Sequence, residues 1–327
     1  MIKDKNKEAI KIIEENKLTN VYSPEDQIKM ELEREQLEDS KKLFKEKIYS
    51  VEIGIHSYCN RTCTFCPLSR EDVNRRDKKN TVYMTDEMYV SIMKQLSEID
   101  FDGRIDFTRY HEPLADKEAI LDRIRIAKKY IPKAKLNVNT NSDYLNKEYL
   151  QELLDAGIDN IAMQAYLRNG ATVYDENEVF ERINQICDRI GAERINPDEH
   201  KDKDWIIYRL PQFKGSIHAR NYWKNGTNRA GSVPIDLGYR RTQPCTSMNK
   251  GVFIEYDGSM TICCDMITPE VHKKWAVGNL SKQPNLFLNY TSDYYTEWRT
   301  RINKADWFKG SPCLVCKRDV RGKEARV

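Results

Sequence analysis

The sequence predicts an α/β protein built as a partial, open (β/α)6 barrel with a small C-terminal module. Three observations predict it. Short strand patterns alternate with helical patterns of about 10–15 residues, which is the texture of βαβ units and a parallel sheet. That alternation stops near residue 212, after five or six units, too few for a closed eight-unit barrel. Cysteines then gather twice: in the loop after the first strand, and around a hairpin signal far downstream.

Composition narrows the function. The chain has 327 residues, enough for about two domains. A net charge of +3 with no basic tract argues against nucleic acid as a partner. No apolar run approaches the ~20 residues that span a bilayer, so no membrane partner is expected. The first residues, Met1 to Lys17, are neither a signal peptide nor a transit peptide, and a cytoplasmic location is expected. In a reducing compartment nine clustered cysteines point to metal ligands or catalytic thiols rather than disulfides.

The elements follow in order. Residues 1–48 read as an N-terminal helical extension; Ile28, Leu32, Leu37 and Leu43 recur at roughly helical intervals. Val51, Ile53 and Ile55 alternate with Glu52, Gly54 and His56 as a strand. Met88, Ile92, Met93 and Leu96 mark a helix that starts at Thr85. Strands are expected at 105–107, 136–138, 160–165 and 205–210, with helices at 117–131, 147–156 and 176–190. The barrel is thus assigned to 49–212 and the linker with its C-terminal module to 213–327. Residues 215–244, rich in Gly, Asn and Arg, read as a connecting loop. Asp257-Gly258 separates two strand-like runs as a hairpin turn, and a helix near 292–303 precedes the last cysteine pair.

Cys59, Cys63 and Cys66 have the spacing C-x3-C-x2-C directly after the first strand. Three thiolates in one loop suit a soft metal centre. A zinc site needs a fourth ligand; a four-iron cluster held by three cysteines keeps one iron open for a substrate. The stretch resembles the signature of the radical S-adenosylmethionine (SAM) superfamily. That resemblance implies a [4Fe–4S] cluster on Cys59, Cys63 and Cys66, with Phe65 beside the SAM adenine. Tyr110-His111-Glu112-Pro113 resembles the motif that receives the methionine amino group, with Tyr-His standing where the family has Gly-Gly. Asn139 and Asn141, at the end of the third strand, resemble the polar stretch near the SAM ribose and carboxylate.

Cys245, Cys263, Cys313 and Cys316 form C-x12-G-x4-C, a gap, then C-x2-C. Four thiolates without an open corner suit structural zinc or a fully ligated [4Fe–4S] cluster, and spacing alone leaves both open. The pattern resembles the SPASM extension of radical SAM enzymes in its shortened "twitch" form, as in aminocyclitol dehydrogenase and aminoglycoside epimerase types. The resemblance implies one auxiliary [4Fe–4S] cluster on these four residues.

Two cysteines remain. Cys187 shares a helical face with Ile183 and reads as core. Cys264 follows Cys263 on an expected strand, so its side chain is expected on the opposite face, toward the barrel cavity. A thiol there suits donation of a hydrogen atom to a substrate radical. Arg229, Asn228, Trp223 and Arg209 are expected to contact substrate. His56, His200, His218 and His272 show no metal spacing.

The resemblance implies reductive cleavage of SAM to a 5′-deoxyadenosyl radical, fed by a flavodoxin- or ferredoxin-type electron donor. The expected reaction is epimerisation of a small polar, sugar-like or aminocyclitol substrate with Cys264 as hydrogen donor. Oxidation of a secondary alcohol through the auxiliary cluster is the alternative, and modification of a ribosomally made peptide a further one. The short extension before the barrel argues against a peptide-recognition domain.

Overall fold

The structure is a computed structural model that describes residues 24–69, 77–210, 214–235, 238–268 and 271–318. The first 23 residues of the predicted extension, and the predicted boundary at 212, lie outside them. Among the described residues nine strands form one sheet: β1 (Ser50–Ile53), β2 (Arg104–Phe107), β3 (Lys135–Thr140), β4 (Asn160–Gln164), β5 (Trp205–Arg209), β6 (Gly215–Arg220), β7 (Gly251–Ile254), β8 (Ser259–Thr261) and β9 (Gly278–Asn279). Their order is β5-β6-β4-β3-β2-β1-β7-β8-β9. The helices are α1 (Pro24–Lys47), α2 (Asp86–Glu98), α3 (Lys117–Tyr130), α4 (Lys147–Ala156), α5 (Glu176–Ile190), α6 (Tyr222–Asn225), α7 (Leu286–Thr291) and α8 (Asp293–Asn303).

The crossover helices begin where capping side chains stand. Thr85, Asp116, Asn146 and Asp175 each accept a bond from a backbone N–H in the first turn of α2, α3, α4 and α5. Gly157 and Gly191 end α4 and α5 in the left-handed region, at φ +106° and +70°. One face of each strand packs under these helices: Val51, Ile53, Ile105, Phe107, Leu136, Val138, Ile161 and Met163 are buried. The alternate positions carry polar groups. Glu52, Asp106, Asn137 and Asn160 lie in register across β1, β2, β3 and β4. They form one polar row on the other face of the sheet.

Two expectations about the sheet need correction. The stretch read as a connecting loop holds β6, which pairs parallel with β4. Its alternation of Ile217 and Ala219 with polar neighbours is short and sits among Gly, Asn and Arg, which hid it. β5 is instead an antiparallel edge strand on β6. The C-terminal hairpin also joins the barrel sheet directly, because β7 pairs parallel with β1. Gly251, Val252, Phe253 and Ile254 are all buried, as in a strand covered on both faces. Six parallel strands result, the last supplied by the C-terminal part.

Helix α1 clasps that part. Phe44 meets Phe287 and Tyr290 edge-on at 5.2 and 5.3 Å, and Ser40 bonds Thr291 at 2.8 Å. Cys187 is fully buried in the α5 core face with Ile183, Ile186 and Ile190.

Candidate active site

A cavity of about 300 Å³ opens at the C-terminal ends of the parallel strands, where α/β sheets place their ligands. Its walls come from the loop after β1 (Cys59, Cys63, Phe65, Cys66), the segment after β2 (Arg109 to Glu112), the end of β3 (Asn139 to Asn141) and Cys264. All the residues expected to bind the first cluster and SAM therefore share one cavity.

The cysteine loop is fixed by its own polar residues. Asn60 Nδ2 and Arg61 Nη1 donate to the Asp143 carboxylate at 2.7 and 3.0 Å, and Arg182 joins them. Asn141 Nδ2 donates to Asn60 Oδ1 at 2.7 Å, which ties the loop to the end of β3. Burial pushes the Cys59 thiol up, and the Cys63 thiol up to about 11. Such thiols give up their protons on metal binding. Among the described residues no three His, Cys, Asp or Glu side chains could hold a single metal ion. A four-iron cluster places each thiolate on a separate iron.

Glu112 caps the short turn that follows it. Its carboxylate accepts from Leu114 N (3.0 Å), Thr140 Oγ1 (2.6 Å) and Asn141 N (2.7 Å). Burial raises it to about 7 against the pull of these donors. The Tyr-His pair does not displace it: Glu112 N still donates to Tyr58 O at 2.9 Å. His111 lies edge-on to His56 at 4.8 Å, and Tyr110 Oη donates to the Cys264 carbonyl at 3.0 Å. Phe65 stacks face to face on Tyr222 at 3.9 Å, beside Tyr166.

Cys245, Cys263, Cys313 and Cys316 line one small second pocket. Burial pushes the Cys263 and Cys313 thiols up, and Cys316 up to about 11. Four thiols converging on one pocket fit a fully ligated cluster. Asn228 is buried and binds the knuckle from behind, donating to Val315 O and accepting from Lys317 N at 3.2 Å. It is a brace, and it does not line the main cavity.

Strand β8 ends at Thr261, so Cys263 and Cys264 sit in the turn beyond it and not on a strand as expected. The turn still separates them, with Cys263 on the second pocket and Cys264 on the main cavity. Burial pushes the Cys264 thiol up to about 12. Next to it, Asp265 is buried and pairs with Arg229 at 3.0 Å and Arg318 at 3.3 Å. Burial works against its charge, but the two guanidiniums outweigh that and hold the carboxyl below the usual range.

Of the four residues expected to contact substrate, only Arg229 lines the cavity. Trp223 stands edge-on behind Phe65 at 6.3 Å. Arg209 is exposed on β5, because β6 takes the place next to β4 and pushes β5 to the rim. Sequence reading missed Arg109, Glu52, Tyr166 and Tyr222 as cavity residues. For Glu52 the signal was present: a charged residue inside an apolar alternation points to a polar interior.

The chain is similar to known proteins along most of its length. A model described as the radical SAM superfamily matches residues 53–165, and one described as an iron-sulfur cluster-binding domain (SPASM) matches 245–317. The S-adenosyl-L-methionine-dependent 2-deoxy-scyllo-inosamine dehydrogenase of Niallia circulans is 41% identical over 272 residues, covering 83% of this chain and 94% of that protein. The crystal structure of BtrN in complex with AdoMet and 2-DOIA superposes with a TM-score of 0.59 at 22% identity, over 83% of this chain and 94% of that one. Selenomethionine BtrN in an open conformation gives 0.54 at 21% identity, over 83% and 92%.

Proposed function

The chain belongs to the radical SAM superfamily and carries a SPASM-type iron–sulfur module, and on that premise we propose that it oxidises a secondary alcohol of an amino-substituted cyclic polyol to a ketone. Its cofactors are SAM and iron–sulfur clusters. The observation that carries the proposal is the 41% identity to a curated aminocyclitol dehydrogenase over 94% of that protein. Oxidation therefore replaces epimerisation as the leading reading.

In this reading Cys59, Cys63 and Cys66 hold the cluster that binds SAM, and Cys245, Cys263, Cys313 and Cys316 hold the auxiliary one. Bound together, these groups supply a hydrogen-abstracting radical and an electron acceptor. The chain's own residues do the positioning. Glu112, Asn139, Asn141 and the Tyr110–His111 backbone hold the polar end of SAM. Phe65, backed by Tyr222, supplies an aromatic wall for the adenine. Arg229 faces the remaining space, where a polyol hydroxyl is a fitting partner. The alcohol carbon loses its hydrogen, the hydroxyl loses its proton, and the ring loses one electron. A flavodoxin- or ferredoxin-type protein in a reducing cytoplasm fits as the electron source. Among the described residues no helix is long and apolar enough to cross a membrane.

The test is anaerobic incubation of the reconstituted enzyme with SAM, reductant and 2-deoxy-scyllo-inosamine or a related aminocyclitol. With unlabelled substrate a product two mass units lighter is expected, and with substrate deuterated at the alcohol carbon the deuterium should move to 5′-deoxyadenosine. A product of unchanged mass that takes one deuterium from D2O would overturn it. Epimerisation stays as a second reading because the Cys264 side chain lines the same cavity as the first cysteine set. The Cys264→Ala variant separates the two: oxidation survives it, and epimerisation does not.

A further inference from the structure

Buried guanidiniums in this fold commonly stand against carboxylates. Arg61 pairs with Asp143 at 3.0 Å, Arg109 with Glu255 at 2.6 Å and Arg123 with Asp86 at 2.5 Å. Arg241 is buried as well, at 4% exposure, but it departs from that pattern. Its Nε donates to Gln243 O at 2.8 Å and its Nη2 to Pro244 O at 2.8 Å. Its Nη1 donates to Cys316 O at 3.2 Å and to Arg318 O. Among the described residues every partner of this guanidinium is a neutral backbone carbonyl. Carbonyl dipoles satisfy its donors and leave its charge without a counter-charge, and burial of such a charge is costly.

The position of that charge is specific. Arg241 lines the pocket on which Cys245, Cys263, Cys313 and Cys316 converge. One carbonyl it holds belongs to Cys316, and another belongs to Pro244, directly before Cys245. The residue is fixed from both sides. Arg241 N donates to Leu314 O at 2.9 Å, and Trp307 Nε1 donates to Arg241 O at 3.3 Å. The Trp307 ring lies 5.7 Å from the guanidinium carbon. A second cation, Arg318, lines the same pocket, but it stands 3.3 Å from the Asp265 carboxylate. The excess positive charge at this pocket is therefore that of Arg241.

We propose that Arg241 is the fixed counter-charge of the auxiliary iron–sulfur cluster and raises its reduction potential. The inference rests on the reading of this pocket as a cluster site and adds the residue that tunes it. Four thiolates make such a cluster a net anion, and net charge is one of the properties that set its potential. Reduction adds negative charge, so a cation held beside the pocket favours the reduced state more than the oxidised one. In the oxidation proposed above, that bias eases the arrival of the electron that the ring gives up. Arg241 is a positioning and tuning residue, and it touches neither substrate nor SAM.

Potentiometric titration of the reconstituted holoenzyme, followed by electron paramagnetic resonance, tests it. The first cluster, identified by its response to SAM, is the internal reference. Arg241→Gln should keep its iron, lower the midpoint of the auxiliary cluster and leave that of the first cluster unchanged. Arg241→Lys keeps the charge and loses the fork, so its auxiliary midpoint should stay near wild type. An auxiliary midpoint unmoved in Arg241→Gln, or lowered equally in both variants, would overturn the proposal. Should Arg241→Gln lose the auxiliary iron, Arg241→Lys decides. Iron retained at the wild-type midpoint supports the counter-charge. Iron lost there too, or held at a lower midpoint, shows that Arg241 only staples the carbonyls. A wild-type protein that holds only about four irons per chain would overturn the cluster reading of this pocket, and this inference with it.

Discussion

Tyr110 Oη donates a hydrogen bond to the carbonyl of Cys264 at 3.0 Å. The two residues lie 154 positions apart in the sequence and come from the two cysteine-bearing parts of the fold. Tyr110 stands where the resembling motif has glycine, so a side chain is present where that motif has none. It reaches from the segment that holds Glu112 to the residue directly after Cys263. Arg109, beside it, donates to Met266 O at 2.7 Å and to Thr261 Oγ1 at 3.2 Å. The departure from Gly-Gly thus works as a clamp on the turn that carries Cys263 and Cys264.

The Tyr110→Phe variant removes that bond and keeps the ring. Loss of one neutral hydrogen bond costs about 1 kcal/mol. SAM affinity should stay within about twofold of wild type. Ketone formation should fall several-fold, because the clamp holds the auxiliary side and not the SAM side. Parallel measurement of SAM binding and of ketone yield checks this. A loss of SAM affinity with turnover unchanged per bound SAM would sink the clamp.

Glu112→Gln addresses the SAM side. The carboxylate accepts from three donors, so an amide NH2 in its place faces at least one donor and leaves it unsatisfied. The cost should be about 2 kcal/mol, read as a lower denaturation midpoint. SAM binding should weaken as the Thr140–Asn141 segment shifts. An unchanged midpoint would mean that the three bonds contribute nothing net.

How much of this was legible in the sequence depends on the residue. The cysteine spacings and the 3.6-residue periodicity are local, and they placed the crossover helices and both cysteine sets. The pairings of β6 with β4 and of β7 with β1 are non-local. Each was masked, β6 by its Gly, Asn and Arg neighbours and β7 by its assignment to a separate module. Asn228 and Arg229 are adjacent in sequence, yet one braces the Cys313–Cys316 knuckle and the other faces the cavity. Arg229 and Ala230 adopt positive φ, 47° and 51°, and this local turn sends neighbouring side chains in different directions. Spacing does not carry that information.

Cys313→Ala should separate the two cysteine sets. Iron should fall from about eight to about four per chain. Cleavage of SAM to 5′-deoxyadenosine should persist while ketone formation is lost. Iron and sulfide analysis with product assays reads both. Zinc without sulfide in the wild-type protein would sink the cluster assignment altogether.

Asp143 was silent in the sequence, yet it organises the first cysteine loop. It accepts from Asn60 and Arg61, which lie between Cys59 and Cys63, and from Arg182 on α5. Removing it leaves two half-buried guanidiniums without their carboxylate, and breaking a buried pair of this kind costs about 3 kcal/mol. The loop would lose its anchor to the end of β3 while Cys245, Cys263, Cys313 and Cys316 stay in place. Asp143→Ala should therefore retain about four irons, lose the spectroscopic response to SAM, and keep the auxiliary signal. Asp159→Asn is the control: Asp159 is equally exposed, pairs with Lys128 at 2.6 Å and lies away from the loop. It should keep both clusters. Equal iron loss in the two variants would show that general destabilisation, and not the anchor on Asn60 and Arg61, empties the site.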